Sequence, residues 1–278
     1  MSLFSGKNYP PKVGLEMNEK SKVVLKIQDV SLSFGALQAL KDISFEVKEK
    51  EILAVIGPNG AGKTSLLNCI SGFYRPQKGK IVFNDQEITN LAPYKRAALG
   101  IGRTFQNVEI YSGLTALDNL MAGRHPLMKN GVISGALWFG RGRRIEIEHR
   151  REVENIIDLL EMETIRETPG AFLTYGQRKK VDLGRALALE PKMLILDEPM
   201  AGMNLDEKED IVRYVLDVHE LWQIPVILVE HDMSVVMDIA DKVVVFDFGN
   251  KIAEGTPAEV KADQTVVKAY LGAAIQKN

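Results

Sequence analysis

Short apolar runs recur along the chain: "VVLKIQDVSLSF", "ISFEVKE", "EILAVIG", "KIVFN", "KMLILDEP", "PVILVEH" and "DKVVVFDFGNKIAEG". Helical patterns separate the later ones, at 63–71, 114–123, 142–163, 177–189, 206–222 and 232–240. Strands that are apolar on both faces and alternate with amphipathic helices predict an α/β sheet with buried, largely parallel central strands. The first and last strand runs alternate in polarity and carry turn signals, which predicts an antiparallel β portion flanking that core. Residues 107–187 carry almost no strand signal and read as a helical subdomain inserted in the α/β domain. Residues 1–21 form a tail, 22–272 the domain, and 273–278 a second tail.

Composition narrows the class. At 278 residues and 45% hydrophobic, the chain buries a substantial core. Its 35 basic residues against 37 acidic ones give a net charge of -2, which offers no argument for wrapping nucleic acid. Cys69 is the only cysteine, so an intrachain disulfide and a cysteine zinc site are both excluded, and an intracellular compartment fits best. The opening residues lack the continuous apolar core of a signal peptide, and no window reaches the ~18 unbroken apolar residues of a membrane span. Any work at a membrane is therefore expected from one side, through a partner.

The chemistry begins at residues 57–64, "GPNGAGKT", which fit G-x-x-x-x-G-K-[ST] between an apolar strand and a helix pattern. Gly57, Gly60 and Gly62 let the backbone turn tightly, so that successive N–H groups aim at phosphate oxygens beside a helix N-terminus. Lys63 spans the terminal phosphates of a bound nucleotide, and Thr64 offers a hydroxyl to Mg²⁺. Two strand-end acids are ordinarily solvated caps. After a phosphate loop, "MLILDEP" instead puts Asp197 on the metal and leaves Glu198 to take a proton from the attacking water. The two can divide that work because neighbouring strand residues point to opposite faces.

A second candidate anion site lies at "LTYGQ", where the Thr174 hydroxyl and Gly176 N–H precede a helix. Two phosphate-binding helix starts in one chain are redundant unless the second faces another subunit's nucleotide. That hints at a head-to-tail dimer with ATP between subunits. Were Tyr175 at a position needing positive φ it would be strained, so Gly176 is expected to carry the sharp turn.

In order along the chain, these motifs resemble the ATP-binding subunits of ABC transporters over about residues 22–272. "GPNGAGKT" is similar to the Walker A loop, "MLILDE" to the Walker B strand and "LTYGQ" to the LSGGQ signature. The resemblance implies the ABC ATPase type of P-loop NTPase fold, with ATP and Mg²⁺ as ligands. It further implies that Asn59, Ala61 and Ser65 join the loop contacts, that Gln177 faces the partner's nucleotide, and that Gln106 in "IGRTFQN" touches Mg²⁺ or water. By the same resemblance His231 in "VILVEHD" contacts the γ-phosphate and Phe34 in "LSFG" stacks on adenine. Taken alone, His231 is an ordinary strand-end polar residue and Phe34 an ordinary core aromatic.

The chain departs from the general pattern at Thr174 and Tyr175, and at Asn204 in "AGMN", where most of the family has Asp. Together with "DEPMAGMN", "IGRTFQNVEIYSGLTALDNLMAGRH" and the expansion "PLMKNGVISGALWFGRGRRIEIE", these residues resemble the importer branch for branched-chain and related amino acids. That branch implies two membrane permease subunits, a second ATPase subunit (self or paralogue), an indirectly coupled extracytoplasmic solute-binding protein, no nucleic acid, and a peripheral place on the cytoplasmic membrane face. The rival readings are the ATPase of a lipid or lipopolysaccharide exporter and a soluble ABC ATPase. Trp138 and Phe139 read as ordinary packing beside a solvated basic face, with contact to a membrane or permease as the alternative.

Overall fold

A computed structural model describes residues 21–127 and 141–275. Trp138 and Phe139 lie outside the described residues. Two compact units divide the chain, Met1–Asn90 with Pro225–Asn278, and Leu91–Ile224.

In the first unit, β1 (Val23–Phe34) pairs antiparallel with β2 (Leu37–Lys48) and with β4 (Lys78–Phe83), which carries β5 (Gln86–Glu87). β2 starts earlier than "ISFEVKE" suggested, because Gly35 at φ 59 closes a tight turn that sets Phe34 opposite Leu37. The buried β3 (Ile52–Ile56) runs parallel to both β8 (Val226–Val229) and β9 (Lys242–Asp247), and β10 (Asn250–Gly255) returns antiparallel along β9. Every residue of β3 and β8 is buried, as their unbroken apolar runs require.

Helix α1 (Lys63–Ser71) follows β3, and Cys69 on it is buried in the core. Further on come α7 (Met233–Ile239), α8 (Pro257–Ala262) and α9 (Gln264–Ile275). The last two went unread in the sequence, although "TPAE" holds a capping box in which Thr256 and Glu259 satisfy each other's backbone N–H. Ala54, Ile56, Val236, Ala240, Val243, Val245, Val260 and Val266 form a buried cluster beneath the phosphate loop, with Tyr270 packed against it. Each buried Val or Ile contributes roughly 1.5–3 kcal/mol, so the strand that launches the loop stands on a firm base.

In the second unit, β6 (Ile101–Arg103) runs parallel to β7 (Met193–Asp197), Arg103 level with Ile195. A three-residue strand is too short to show a period, which is why β6 was not anticipated. The helices are α2 (Pro93–Ala98), α3 (Ala116–Gly123), α4 (Arg141–Leu159), α5 (Tyr175–Leu187) and α6 (Leu205–Trp222). Buried Asn119 on α3 secures the incoming loop, its amide donating to the carbonyls of Tyr111 and Leu114.

Candidate active site

β3 delivers the chain into the loop 57–62, where Gly60 and Gly62 sit at φ 81 and 103. A Cβ on Gly62 would lie 2.5 Å from the Ala39 carbonyl oxygen, so only glycine lets the loop lie this close to β2. The β9–β10 turn closes the other side: the Gly249 N–H donates to the Ala61 carbonyl at 3.0 Å, and the Lys41 N–H to the Gly249 carbonyl at 2.8 Å. Lys63 opens α1 and is buried. Its ammonium folds over the loop, donating to the carbonyls of Gly57 at 2.7 Å and Pro58 at 2.9 Å. Asn59 and Thr64 are exposed and Ser65 half-buried, while Ala61 is buried. Gly62 supplies no side-chain cap to α1, which leaves the helix start without an acceptor of its own in the place where an anion binds best.

The same unit carries two other predicted residues. Phe34, at the tip of the β1–β2 hairpin, is 46% exposed, and its ring meets Tyr74 edge-on at 5.1 Å. An aromatic face held open to solvent this way suits a stacking partner better than a core position. His231 follows β8 and is exposed, with its N–H held by the buried Glu230 carboxylate at 3.0 Å.

The acid pair lies in the second unit. Asp197 ends β7 and is buried, and Arg103 from β6 donates to its Oδ2 at 3.0 Å. Burial pushes the Asp197 carboxyl upward from its ordinary range while the Arg103 charge pulls it back. Asp197 Oδ1 is buried and has no hydrogen-bond partner among the described residues. A bare carboxylate oxygen in that setting fits a hard cation. Among the described residues no group of three or more His, Cys, Asp or Glu forms a complete metal cage. The Asp197 oxygen suits an ion such as Mg²⁺, which takes one or two carboxylates and completes its shell with water and substrate phosphate.

Glu198 leaves the strand in the left-handed region, at φ 49, and so swings away from the direction Asp197 takes. Its Oε2 accepts from the Gln106 amide at 2.9 Å, so the structure brings these two predicted residues into contact. Sequence reasoning missed three charges here: Arg103, whose side chain is 6% exposed, and the buried Lys179 and Asp182. The signal for the last two was present as opposite charges three apart on the apolar face of α5.

At "LTYGQ" one expectation fails. Neither Tyr175 nor Gly176 has positive φ, and the helix already begins at Tyr175, so Gly176 carries no sharp turn. Thr174 is the N-cap: its hydroxyl accepts from the Gln177 N–H at 3.3 Å, and the Gln177 side chain accepts from the Thr174 N–H at 2.9 Å. That capping box starts the helix at Tyr175, two residues earlier than the sequence pattern suggested. A Cβ at Gly176 would come within 2.3 Å of Glu207 Oε1 on α6, the far end of a flexible side chain that would have to turn aside. Asn204, the departure in "AGMN", caps α6 in a matching box with Glu207.

A family model described as ABC transporter matches residues 40–201, and one described as Branched-chain amino acid ATP-binding cassette transporter matches 250–275. The chain is 35% identical to the high-affinity branched-chain amino acid transport ATP-binding protein BraF of Pseudomonas aeruginosa, across 91% of this chain and 100% of that one. It is 33% identical to LivG of Escherichia coli, which carries the same description, over the same shares. Among solved structures it resembles the ADP conformation of an ATP-binding cassette of an ABC transporter, with TM-score 0.79 and 31% identity over 91% of this chain and 100% of that one. A nucleotide-free cassette from an ABC transporter gives TM-score 0.78 at 30% identity, covering 90% and 99%.

Proposed function

The chain belongs to the ABC transporter family as an ATP-hydrolysing subunit, and from that premise we propose that it powers uptake of branched-chain or related amino acids through two separate membrane permease subunits. The observation that carries the solute class is the match of residues 250–275 to the branched-chain model, beside relatives of that description along their whole length. No helix among the described residues is long and apolar enough to cross a membrane, which supports a peripheral place at its cytoplasmic face, held by the permeases. The nearest rival, a lipid exporter ATPase, is disfavoured by the same C-terminal match.

The residues divide the work as follows. The phosphate loop receives the triphosphate. Lys63 exchanges the Gly57 and Pro58 carbonyls for phosphate oxygens, and Phe34 stacks on the base. Asp197, Thr64 and Gln106 would hold Mg²⁺, which when bound would neutralise charge on the phosphates. Glu198 takes the proton of the attacking water, steadied by the Gln106 amide, and His231 contacts the γ-phosphate. Thr174, Gly176 and Gln177 of a second ATPase subunit, whether an identical chain or a paralogue, close over the same phosphate from the opposite side. ATP favours the closed pair because it binds that state better than the open one. A solute-binding protein outside the membrane acts only through the permeases.

Purifying the chain with the membrane proteins that accompany it, then reconstituting them in vesicles, tests the whole proposal. The expected result is ATP hydrolysis stimulated by binding protein loaded with leucine, isoleucine or valine. Co-purification with a lipid-exporting permease, or stimulation by lipid alone, would refute the solute class.

A further inference from the structure

Three charged side chains on one face of α5 run along the loop that carries Gln106. Lys179 Nζ donates to the Gln106 carbonyl at 3.2 Å and to the Glu198 carbonyl at 3.1 Å. One turn further, Asp182 Oδ2 accepts from the Phe105 N–H at 3.1 Å. After another turn, Arg185 donates to the Glu109 carbonyl at 2.5 Å while its guanidinium lies 5.5 Å from the Tyr111 ring centre. Residues three apart share a helix face, so the spacing of these three matches the run of the loop beside them.

Lys179 and Asp182 are only 4% and 3% exposed. Charges so deeply buried are costly unless satisfied, and these satisfy backbone groups of the segment 105–106 and of Glu198. If α5 needed only to pack, apolar residues would serve it better at both positions. Glu198 is also held in a left-handed backbone conformation that most residues avoid, and the Lys179 bond falls on the carbonyl of that residue.

We propose that Lys179 is a positioning residue for ATP hydrolysis: it holds the backbones of Gln106 and Glu198 together so that the amide of one steadies the carboxylate of the other. With Asp182 and Arg185 it also fastens that pair to the helix whose start carries Thr174 and Gln177, so that the loop and the helix move as one piece. The inference rests on Glu198 being the base.

Full-length Lys179→Met and Lys179→Arg, assayed for steady-state ATP hydrolysis, test it. Methionine keeps the length of the side chain and removes both donors, so kcat falls about 10- to 100-fold while KM for ATP stays within about threefold. Arginine can reach both carbonyls and recovers most of the loss. A Lys179→Met chain with kcat within about twofold of wild type overturns the proposal, as does an equal loss in both variants. If Glu198→Gln hydrolyses normally, the base reading fails. If Glu198→Gln is inactive and Lys179→Met is normal, only this inference fails. Should the methionine variant not fold, hydrogen exchange on the wild-type chain decides. Peptides covering 104–110 and 174–187 then gain protection together when nucleotide binds, and a gain confined to the first overturns the link.

Discussion

Gly60→Ala and Gly62→Ala separate backbone strain from lack of room within one loop. Both glycines have positive φ, 81 and 103, so alanine at either adds the left-handed penalty of roughly 1–2 kcal/mol. A Cβ on Gly60 meets nothing within 4 Å, whereas one on Gly62 lies 2.5 Å from the Ala39 carbonyl oxygen and 3.1 Å from Leu40. The Ala39 carbonyl cannot retreat cheaply, because Lys41 two residues on is tied to Gly249, and Gly249 to Ala61 of the loop itself. Overpacking of this kind costs typically 1–3 kcal/mol, so the total is roughly 3 kcal/mol for Gly62→Ala against about 1 for Gly60→Ala. For a chain of this size the two Tm values fall by about 6–12 °C and about 2–4 °C. The same displacement shifts the amides that receive phosphate. ATP affinity in Gly62→Ala then drops as well, by about 10-fold for every ~1.4 kcal/mol that restoring those amides costs on binding. Thermal melts with and without ATP, plus a nucleotide titration, read both effects. Equal Tm losses in the two variants, or a Gly62→Ala chain that melts and binds like wild type, would refute the steric reasoning.

Three further outcomes are expected. Glu198→Gln binds ATP and pairs stably but turns over about 10²- to 10⁴-fold more slowly, and near-normal hydrolysis would remove Glu198 from the role of base. A Thr174→Ala chain mixed with a Lys63→Ala chain assembles dimers with one intact composite site, so the mixture is more active than either variant alone; identical defects at every mixing ratio count against the sandwich. In α4, His149 Nδ1 accepts from Arg124 Nε at 2.9 Å, and burial, then the Arg124 charge, hold its pKa below the ordinary 6.5. The unfolded chain therefore binds that proton more readily, so this contribution to stability is complete above pH ~6.5 and is lost as pH falls through the depressed folded value. His149→Gln keeps an acceptor without the titration and should lose less Tm between pH 7 and pH 5 than wild type, a difference absent if the imidazole is not neutral.

The residues legible in the sequence are those whose chemistry lies in contiguous spacing. "GPNGAGKT" specifies its own turn, its own lysine and its own helix, and the strand before it is marked by an unbroken apolar run. The residues that escaped notice work across distance along the chain. Arg103 meets Asp197 from 94 positions away, Lys179 meets the Gln106 carbonyl from 73, and Phe105 meets Asp182 from 77. Periodicity records which face of a helix is buried. It does not record which backbone a buried charge will find. The α5 start was misplaced for a local reason: the glycine was read as a turn former, when the Thr174–Gln177 reciprocal cap had already fixed the helix N-terminus.

That cap also accounts for the tyrosine in "LTYGQ". Because Tyr175 occupies the first helical position, its backbone adopts ordinary right-handed geometry and glycine is not required there. What the tyrosine does require is room for its ring, and the chain provides it at Gly202. A Cβ at that residue would come within 3.1 Å of Tyr175 Cε1, and its φ of 76 suits glycine independently. Lys179 adds its ammonium 5.8 Å from the ring centre, reached from the next turn of the same helix. Tyr175 therefore spans the start of α5 and the segment just after Glu198, in a place where a glycine would leave both less constrained. Replacing Tyr175 by glycine should loosen that segment and weaken the start of the helix, by roughly 0.5 kcal/mol or less of helix propensity alone. Tyr175→Phe, which keeps the ring, should be nearly silent. A glycine variant as stable and as active as wild type would show that the ring contributes nothing to holding the two segments together.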